Sequence, residues 1–346
     1  EKLLKDLEDV KIDQKVFKGF EGYNSFLKSK LETDKADLRL LEVEQEIILS
    51  SVNAYYDLIY RSNSKKFNYA NVDLFERQVE SDSTRMQKGE ITLTDLAQSE
   101  SSLAAAKASY ILSETELLSA KTNFERIIVV STPDKVEENY KFNINLPNSL
   151  SESLNLSKEK NLKLLIAKLD YKISEKNVNI EKSHLSPSAS INYSKTNNSN
   201  FSSTVDDVDQ ETVKATIVWP IVKGGENYFS LRKAKFKREQ SNLILEDTGN
   251  EVKTNTVNAW SSYQSAEGIF RATQAQVTAA EIANEGITLE YDSGSTTRTT
   301  LDVIQSRSLL LEARIDNAKA KKDFAVSKFK LLEVTGKLTL ENIRLF

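Results

Sequence analysis

The apolar residues of this chain follow two rhythms, one with a helical period and one with a period of two. Leu27, Leu31, Leu38, Leu41, Ile48, Val52, Tyr55 and Ile59 fall on alternating three- and four-residue steps, and polar residues take the steps at Asp34 and Gln45. This is the heptad seam of a helix that packs along its length. Neither Pro nor Gly occurs between Gly22 and Gln87, so the predicted helix runs roughly 95 Å at 1.5 Å per residue. Helices in globular proteins average about a dozen residues, and one this long needs a partner. Gly89 is placed to stop it. A second helix is predicted from near Thr92, with Leu96, Ser99, Leu103, Ala106, Tyr110, Ser113, Leu117, Ala120, Phe124 and Ile127 on the same stepping. Two helices joined by a short glycine turn make an antiparallel hairpin.

The whole design occurs twice. Val16, Lys18, Gly19, Glu21, Tyr23 and Ser25 recur as Ile221, Lys223, Gly224, Glu226, Tyr228 and Ser230, and Gly89 recurs as Gly294, always 205 residues on. Val52-Asn53-Ala54-Tyr55 recurs as Val257-Asn258-Ala259-Trp260 at the same offset. That period is far too long for a solenoid, so the chain reads as two homologous halves. At this offset the returning helix of the second half carries Leu301, Ile304, Ser308, Leu311, Ile315, Ala318, Lys322, Ala325, Phe329 and Leu332 on its seam. Two extra residues lie between Gly294 and Arg298 relative to the first half.

Between the halves the texture changes. Residues 132–147 carry two prolines and read as irregular or short-stranded, and residues 150–182 read as a third helical region. Strict alternation follows. Ser188, Ser190, Asn192 and Ser194 oppose Ala189, Ile191 and Tyr193, and after a polar segment over 195–210 the pattern resumes with Val213, Ala215, Ile217 and Trp219. Period two with one polar face predicts a pair of strands. Val10, Ile12 and Val16 keep the parity of the second-half strand, so the first half also opens with a strand. The alternation fits a soluble hairpin lying on a core. It equally fits tilted barrel strands with aromatic residues, here Tyr193 and Trp219, at a membrane interface. Three strands cannot close a barrel, since about eight is the lower limit, so spanning strands require several chains to share one.

Composition narrows the classes. The 346 residues are 39% hydrophobic and 28% charged, with only 10 Gly and 4 Pro, the profile of long helices with polar faces. The 47 basic and 51 acidic residues nearly balance, and no basic block points to nucleic acid. The absence of cysteine excludes disulfides, thiolate zinc and cysteine nucleophiles. No apolar run is long enough for a transmembrane helix, and no leader is visible at Glu1. The single histidine, His184, has no nucleophile or metal-ligand cluster beside it, so no enzyme, cofactor or metal site is expected. Asp206, Asp207 and Asp209 read as a solvated loop without the spacing of a calcium site.

The duplicated strand-to-helix junctions are Val16-Phe17-Lys18-Gly19 and Trp219-Pro220-Ile221-Val222-Lys223-Gly224-Gly225. They combine with Ala54-Tyr55-Tyr56-Asp57-Leu58, with Gly89 before Thr94-Asp95-Leu96, and with Tyr291-Asp292-Ser293-Gly294 before Arg298-Thr299 and Leu301-Asp302-Val303. In this order and spacing, from about Lys11 to Phe346, the chain resembles the TolC-type outer-membrane channel-tunnel proteins, also called outer membrane efflux proteins. That family normally carries a signal peptide, a helix and a first strand ahead of the residues matched here.

The resemblance implies a mainly α fold with short strands. Duplicated helical hairpins would form an α-barrel across the periplasm, and the strands of a homotrimer would share one β-barrel in the outer membrane. The implied division is a strand over 1–18, a hairpin over 19–131, an equatorial segment and connecting helix over 132–186, barrel strands over 187–222, a second hairpin over 223–336 and an equatorial tail over 337–346. The implied function is the passive exit duct of a tripartite efflux pump or a type I secretion system. Its implied partners are a periplasmic adaptor, an inner-membrane transporter and outer-membrane lipid. Ala189, Ile191, Tyr193, Val213, Ala215, Ile217 and Trp219 would face lipid. In the family the periplasmic end closes through links that fall here on Thr94, Asp95, Tyr291 and Arg298. Two acidic rings at the constriction fall on Asp302 and on Gln305, which is neutral. Without the resemblance, the link residues are ordinary polar residues at a turn, and Asp302 is an acid favoured at a helix N-terminus. The competing reading of the whole chain is a soluble periplasmic coiled-coil adaptor or scaffold.

Overall fold

The computed structural model describes residues 6–133, 145–202, 205–293 and 298–340. Gly294, the middle of the expected equatorial segment and the end of the C-terminal tail lie outside the described residues. In chain order the elements are β1 (Asp6–Lys18), α1 (Glu21–Gln87), α2 (Leu93–Ile128), α3 (Leu150–Lys160), α4 (Leu162–Ser183), β2 (Ser188–Ser202), β3 (Val205–Val218), α5 (Glu226–Asp292) and α6 (Thr300–Val334). The duplication is visible in the elements themselves: α1 and α5 each have 67 residues and both start and end 205 residues apart. No described helix is long and apolar enough to cross a membrane.

The chain divides into two compact units. The first holds residues 1–40 and 162–250. Its centre is an antiparallel sheet in the order β1-β2-β3. The register places Ile12 beside Tyr193 and Tyr193 beside Val213; Gln14, Ile191 and Ala215 form the next row, and Phe17, Ala189 and Ile217 the third. Apolar side chains thus share one face. Lys15, Ser190 and Thr216 lie in a row on the other. A bulge between Lys15 and Phe17 changes the parity of β1, so Phe17 rather than Val16 joins the apolar face. The pairing also corrects the expected polar loop over 195–210. β2 and β3 pair through most of it, from Lys195 opposite Glu211 to Ser199 opposite Asp207. Alternation is absent from the sequence there because Lys195, Thr196 and Asn197 and the facing Glu211, Gln210 and Asp209 put polar residues on both faces, while backbone pairing needs no apolar side chain. Trp219 lies just past β3, and its indole N–H donates to the Leu185 carbonyl at 3.2 Å.

Helices in this unit pack beside α4. Lys35 of α1 pairs with Asp170 of α4. Gly19 has φ +57°, and a Cβ there would stand 2.6 Å from the Ser183 carbonyl oxygen, so only glycine lets the β1–α1 junction meet the end of α4. His184 follows that end. Its carbonyl accepts from Asn227 at 2.9 Å, and its Nδ1 lies 3.8 Å from Glu21.

The second unit holds residues 41–161 and 251–346, including both hairpin turns. Buried clusters join α1 to α2 (Ala54, Leu58, Ala120, Phe124) and α5 to α6 (Ala259, Leu331, Val334). Phe329, Leu332 and Leu338 form another, packed against Ile48, Val52 and Tyr56 of α1. On α1 the seam is not all as the apolar stepping predicts: Leu41 is exposed, while Gln45 is buried in the step it occupies.

The predicted helical region over 150–182 is two helices. Asn161 breaks it with an extended backbone (φ −64°, ψ 123°), and its Nδ2 donates to the Val334 carbonyl at 2.9 Å. That carbonyl lies in the last turn of α6, where the helix has no partner of its own to offer. Gly336 then ends α6 with φ +67°; its N–H donates to the Glu333 carbonyl, and the Lys337 N–H to that of Leu332. This is a Schellman close. A Cβ on Gly336 would lie 2.1 Å from the Lys160 carbonyl oxygen. We therefore expect Gly336→Ala to destabilise the fold by more than about 1 kcal/mol, because both conformation and space exclude a side chain; denaturant unfolding followed by helical circular dichroism measures it.

The register of the second hairpin also differs from the expected one. Buried Leu96, Ser99, Ala106, Ser113, Ala120 and Phe124 on α2 correspond to buried Val303, Ser306, Ala313, Ala320, Ser327 and Leu331 on α6, an offset of 207. Leu301 is accordingly exposed. The two extra residues fall in the α5–α6 turn, so α5 keeps its offset while every residue of α6 shifts by two.

Candidate functional site: the turn ends of the two hairpins

The two returning helices open alike. α1 closes on Gly89 (φ +77°), whose N–H donates to the Met86 carbonyl while the Glu90 N–H reaches that of Arg85. α2 then opens with a capping box. Asp95 N–H donates to Thr92 Oγ1 at 3.2 Å, and Thr92 N–H donates back to Asp95 Oδ2 at 2.9 Å. α6 opens identically: Asp302 N–H donates to Thr299 Oγ1 at 3.3 Å, and Thr299 N–H to Asp302 Oδ2 at 2.8 Å. Such caps satisfy donors that the first helical turn leaves open. The Thr92 and Thr299 N–H and hydroxyl groups hold the two carboxyls below their ordinary range. Asp95 and Asp302 are therefore duplicates of one capping acid. Thr94 is exposed one position before Asp95, and Gln305 is exposed one turn after Asp302.

Within the chain Tyr291 bonds to Asp82 and Thr300, and Asp95 to Thr92. Tyr291 is 3% exposed, and its hydroxyl donates to Asp82 Oδ1 at 2.8 Å. A phenol has one hydrogen and a carboxylate has none to give, so the 2.9 Å contact with Thr300 Oγ1 runs from the threonine to the tyrosine. Asp82 itself is fully buried. Its Oδ1 also accepts from Gln78 Nε2 at 2.9 Å, and its Oδ2 accepts from Ser99 Oγ at 2.5 Å. A buried carboxylate is tolerable only with such donors. The guanidinium of Arg85 covers the Tyr291 ring, 4.4 Å from its centre. Burial, with Asp82 as acceptor, pushes the Tyr291 phenol above its usual range. Residues from α1, α2, α5 and α6 thus meet in one polar cluster. Arg298 turns instead to Glu290, Nε to Oε2 at 2.5 Å.

Apolar periodicity missed Asp82, yet a signal existed. Ser64, Asn68, Asn71, Phe75, Gln78 and Asp82 are all buried and keep the three–four stepping of α1. The seam continues through polar residues after the apolar ones stop. A heptad position occupied by Asp, with Ser99 on the facing seam, marks a buried polar network.

The other candidate surface is the sheet. Val10, Ile12, Val213 and Ile217 are all more than half exposed, at 54%, 57%, 72% and 77%. No described element covers the face they share.

A family model described as outer membrane efflux protein matches residues 154–337, more than half of the chain. The chain belongs to the outer membrane efflux protein family. It is 24% identical over 337 residues to the outer membrane efflux protein BepC of Brucella suis biovar 1, covering 97% of this chain and 73% of that one. To the outer membrane protein TolC of Vibrio cholerae it is 23% identical, covering 89% of this chain and 72% of the relative. Its fold is that of the outer membrane protein VceC of Vibrio cholerae, with a TM-score of 0.77 at 16% identity over 96% of this chain and 87% of the other. As an outer membrane efflux protein it is a channel of the outer membrane that extends into the periplasm, not a soluble adaptor. The family is one of channels rather than enzymes.

Proposed function

We propose that this outer membrane efflux protein is the passive exit duct of a tripartite efflux pump or a type I secretion system, built as a homotrimer and gated at the turn ends of its hairpins. The observation that carries the reading is the uncovered apolar face of a sheet too small to close on itself. Lipid on that face and strands from other copies at its edges answer both needs. Ala189, Ile191, Tyr193, Val213, Ala215 and Ile217 then face lipid, and Trp219 sits at the interface. The Ser190 and Asn192 face lines water.

The helices extend this wall into the periplasm, where an adaptor joins the duct to an inner-membrane transporter. The transporter supplies the energy, so the duct itself needs no catalytic group. Near the turn, Tyr291 and Arg298 of one hairpin and Thr94 and Asp95 presented to a neighbouring hairpin form the closing links. Asp302 forms a single carboxylate ring at the constriction. Gln305 leaves the second ring neutral, so the constriction binds cations less strongly than one with two acidic rings.

Two measurements test this. On cell fractionation the full-length protein is expected in the membrane and released only by detergent; full solubility in aqueous buffer contradicts the reading. In planar bilayers, replacing Tyr291 and Arg298 together is expected to raise single-channel conductance, since the two substitutions remove the bonds to Asp82 and Glu290 at the turn end. An unchanged conductance in the double variant counts against gating at this place.

A further inference from the structure

Between α1, α5 and α6 lies a cavity of about 30 Å³, room for one water molecule or one monatomic ion. Its polar lining is Asn71 of α1, Asn284 of α5 and Arg307 and Arg314 of α6; the rest of the wall is apolar, Phe67 and Leu310 included. We propose that this cavity binds a monatomic anion of the size of chloride, held by the Arg307 guanidinium and the Asn71 amide. The site lies within one chain, so it stands apart from the duct reading above.

Two independent observations point to a ligand. The first is Asn71, which is 7% exposed, yet its amide makes no hydrogen bond with any described residue. Asn68, also buried, shows the usual solution: its Nδ2 donates to the Ser64 carbonyl at 2.8 Å. Native structures seldom leave a buried amide without a partner. The second is Arg307. Its Nη1 donates to the Leu74 carbonyl at 3.2 Å, and no carboxylate among the described residues pairs with it. Acids in the region are already committed. Glu281 Oε1 accepts from Nε and Nη2 of Arg314 at 3.2 and 2.8 Å, and Asp82 accepts from Gln78, Ser99 and Tyr291. Burial pulls the Arg307 guanidinium below its ordinary pKa, and Asp292 and Asp82 offset part of this from beyond contact distance.

A guanidinium has five N–H donors and no acceptor, and the cavity wall holds no carboxylate. A small anion supplies what is missing, since it accepts from the guanidinium and the amide and balances the buried charge. Water would accept the same bonds but bring no charge. Sulfate and phosphate are too large for the space. Asn71 belongs to the first hairpin and Arg307 to the second, so a bound anion adds its binding energy to the packing between them. The duplication gives no equivalent pair: the counterpart of Arg307 on α2 is Glu100, and that of Asn71 on α5 is Gln276, both exposed.

The test is urea unfolding of the detergent-extracted full-length protein, followed by helical circular dichroism, with chloride exchanged for gluconate at constant ionic strength. The unmodified protein is expected to gain stability with chloride, its folding equilibrium constant rising about tenfold for each tenfold increase above the dissociation constant. Arg307→Gln is expected to abolish that dependence. Asn71→Leu is expected to shift it to about tenfold higher chloride, the loss of one bond to a charged group. A stability that ignores chloride in the unmodified protein, or responds equally in Arg307→Gln, overturns the proposal and leaves the cavity to water. Should Arg307→Gln not fold, crystals of the unmodified protein grown in bromide decide: an anomalous peak in contact with Arg307 and Asn71 supports the site, and its absence overturns it.

Discussion

Ile191→Arg is expected to keep the chain out of the membrane. Ile191 is on the middle strand of the sheet and in the middle of the three apolar rows, between Gln14 and Ala215. If that face meets hydrocarbon, its centre lies near the bilayer midplane, where an arginine on a barrel strand costs about 2–4 kcal/mol. Each copy in an assembled channel carries the substitution, so the cost repeats around the barrel. Asn192→Arg is the matched comparison. It is the next residue on the same strand but points to the opposite face, beside Asp13 and Lys214. That variant is expected to insert normally, because its charge enters water. Detergent-extractable protein in the membrane fraction, compared between the two variants, gives the answer. Equal insertion of both would mean that the apolar face does not meet lipid.

Phe329→Ala is expected to destabilise the hairpin unit by about 3–5 kcal/mol, the cost of emptying a large aromatic site in a packed core. Phe329 is 1% exposed. It packs with Leu332 and Leu338, and their cluster reaches Ile48, Leu49, Val52 and Tyr56 on α1 and Leu146 in the segment before α3. Its removal therefore weakens three parts of the unit at once. Phe329→Leu retains much of the volume and is expected to lose far less, under about 1.5 kcal/mol. Denaturant titration of the purified protein, followed by helical circular dichroism, separates the two. Similar losses in both variants would show that the site collapses around the gap, and that this cluster is not what holds α1 to the second hairpin.

Much of the architecture could be read from the sequence because long heptad runs and strict alternation are strong signals. α1 was legible from Gly22 to Gln87 and its stop from Gly89, since nothing else in the stretch breaks a helix. The duplication was legible because both copies keep their glycines and aromatics. Errors arose where the signal depended on polar residues or on long-range contact. The break at Asn161 is made by a bond to Val334, 173 residues away, which no local pattern contains. The extended pairing of β2 and β3 hid in polar sequence. The register of α6 was misplaced because a fixed offset ignores an insertion in the turn, and matching apolar residues at 205, such as Phe124 with Phe329, made the wrong alignment look sound. Burial shows that Leu331 takes the place of Phe124. At the turn ends, Tyr291 and Asp95 were legible as candidates, but Asp82 was not, because a search for apolar steps passes over a buried acid.

The capping boxes carry a related lesson. Asp95 and Asp302 were singled out for different roles, one as a link and one as a ring. Their hydrogen bonds show that both first serve the same local purpose at the start of a helix. A capping acid still presents charge outward, so this does not remove a role at a constriction. It does mean that substituting either residue disturbs a helix terminus, by about 1 kcal/mol.

The central claim is that copies of this chain surround a common lumen. Electron microscopy of the detergent-extracted full-length protein, viewed along the assembly axis, tests it most directly. The expected result is a threefold ring of copies around a central axial passage. A monodisperse single-copy particle, or an assembly without an axial passage, would contradict it.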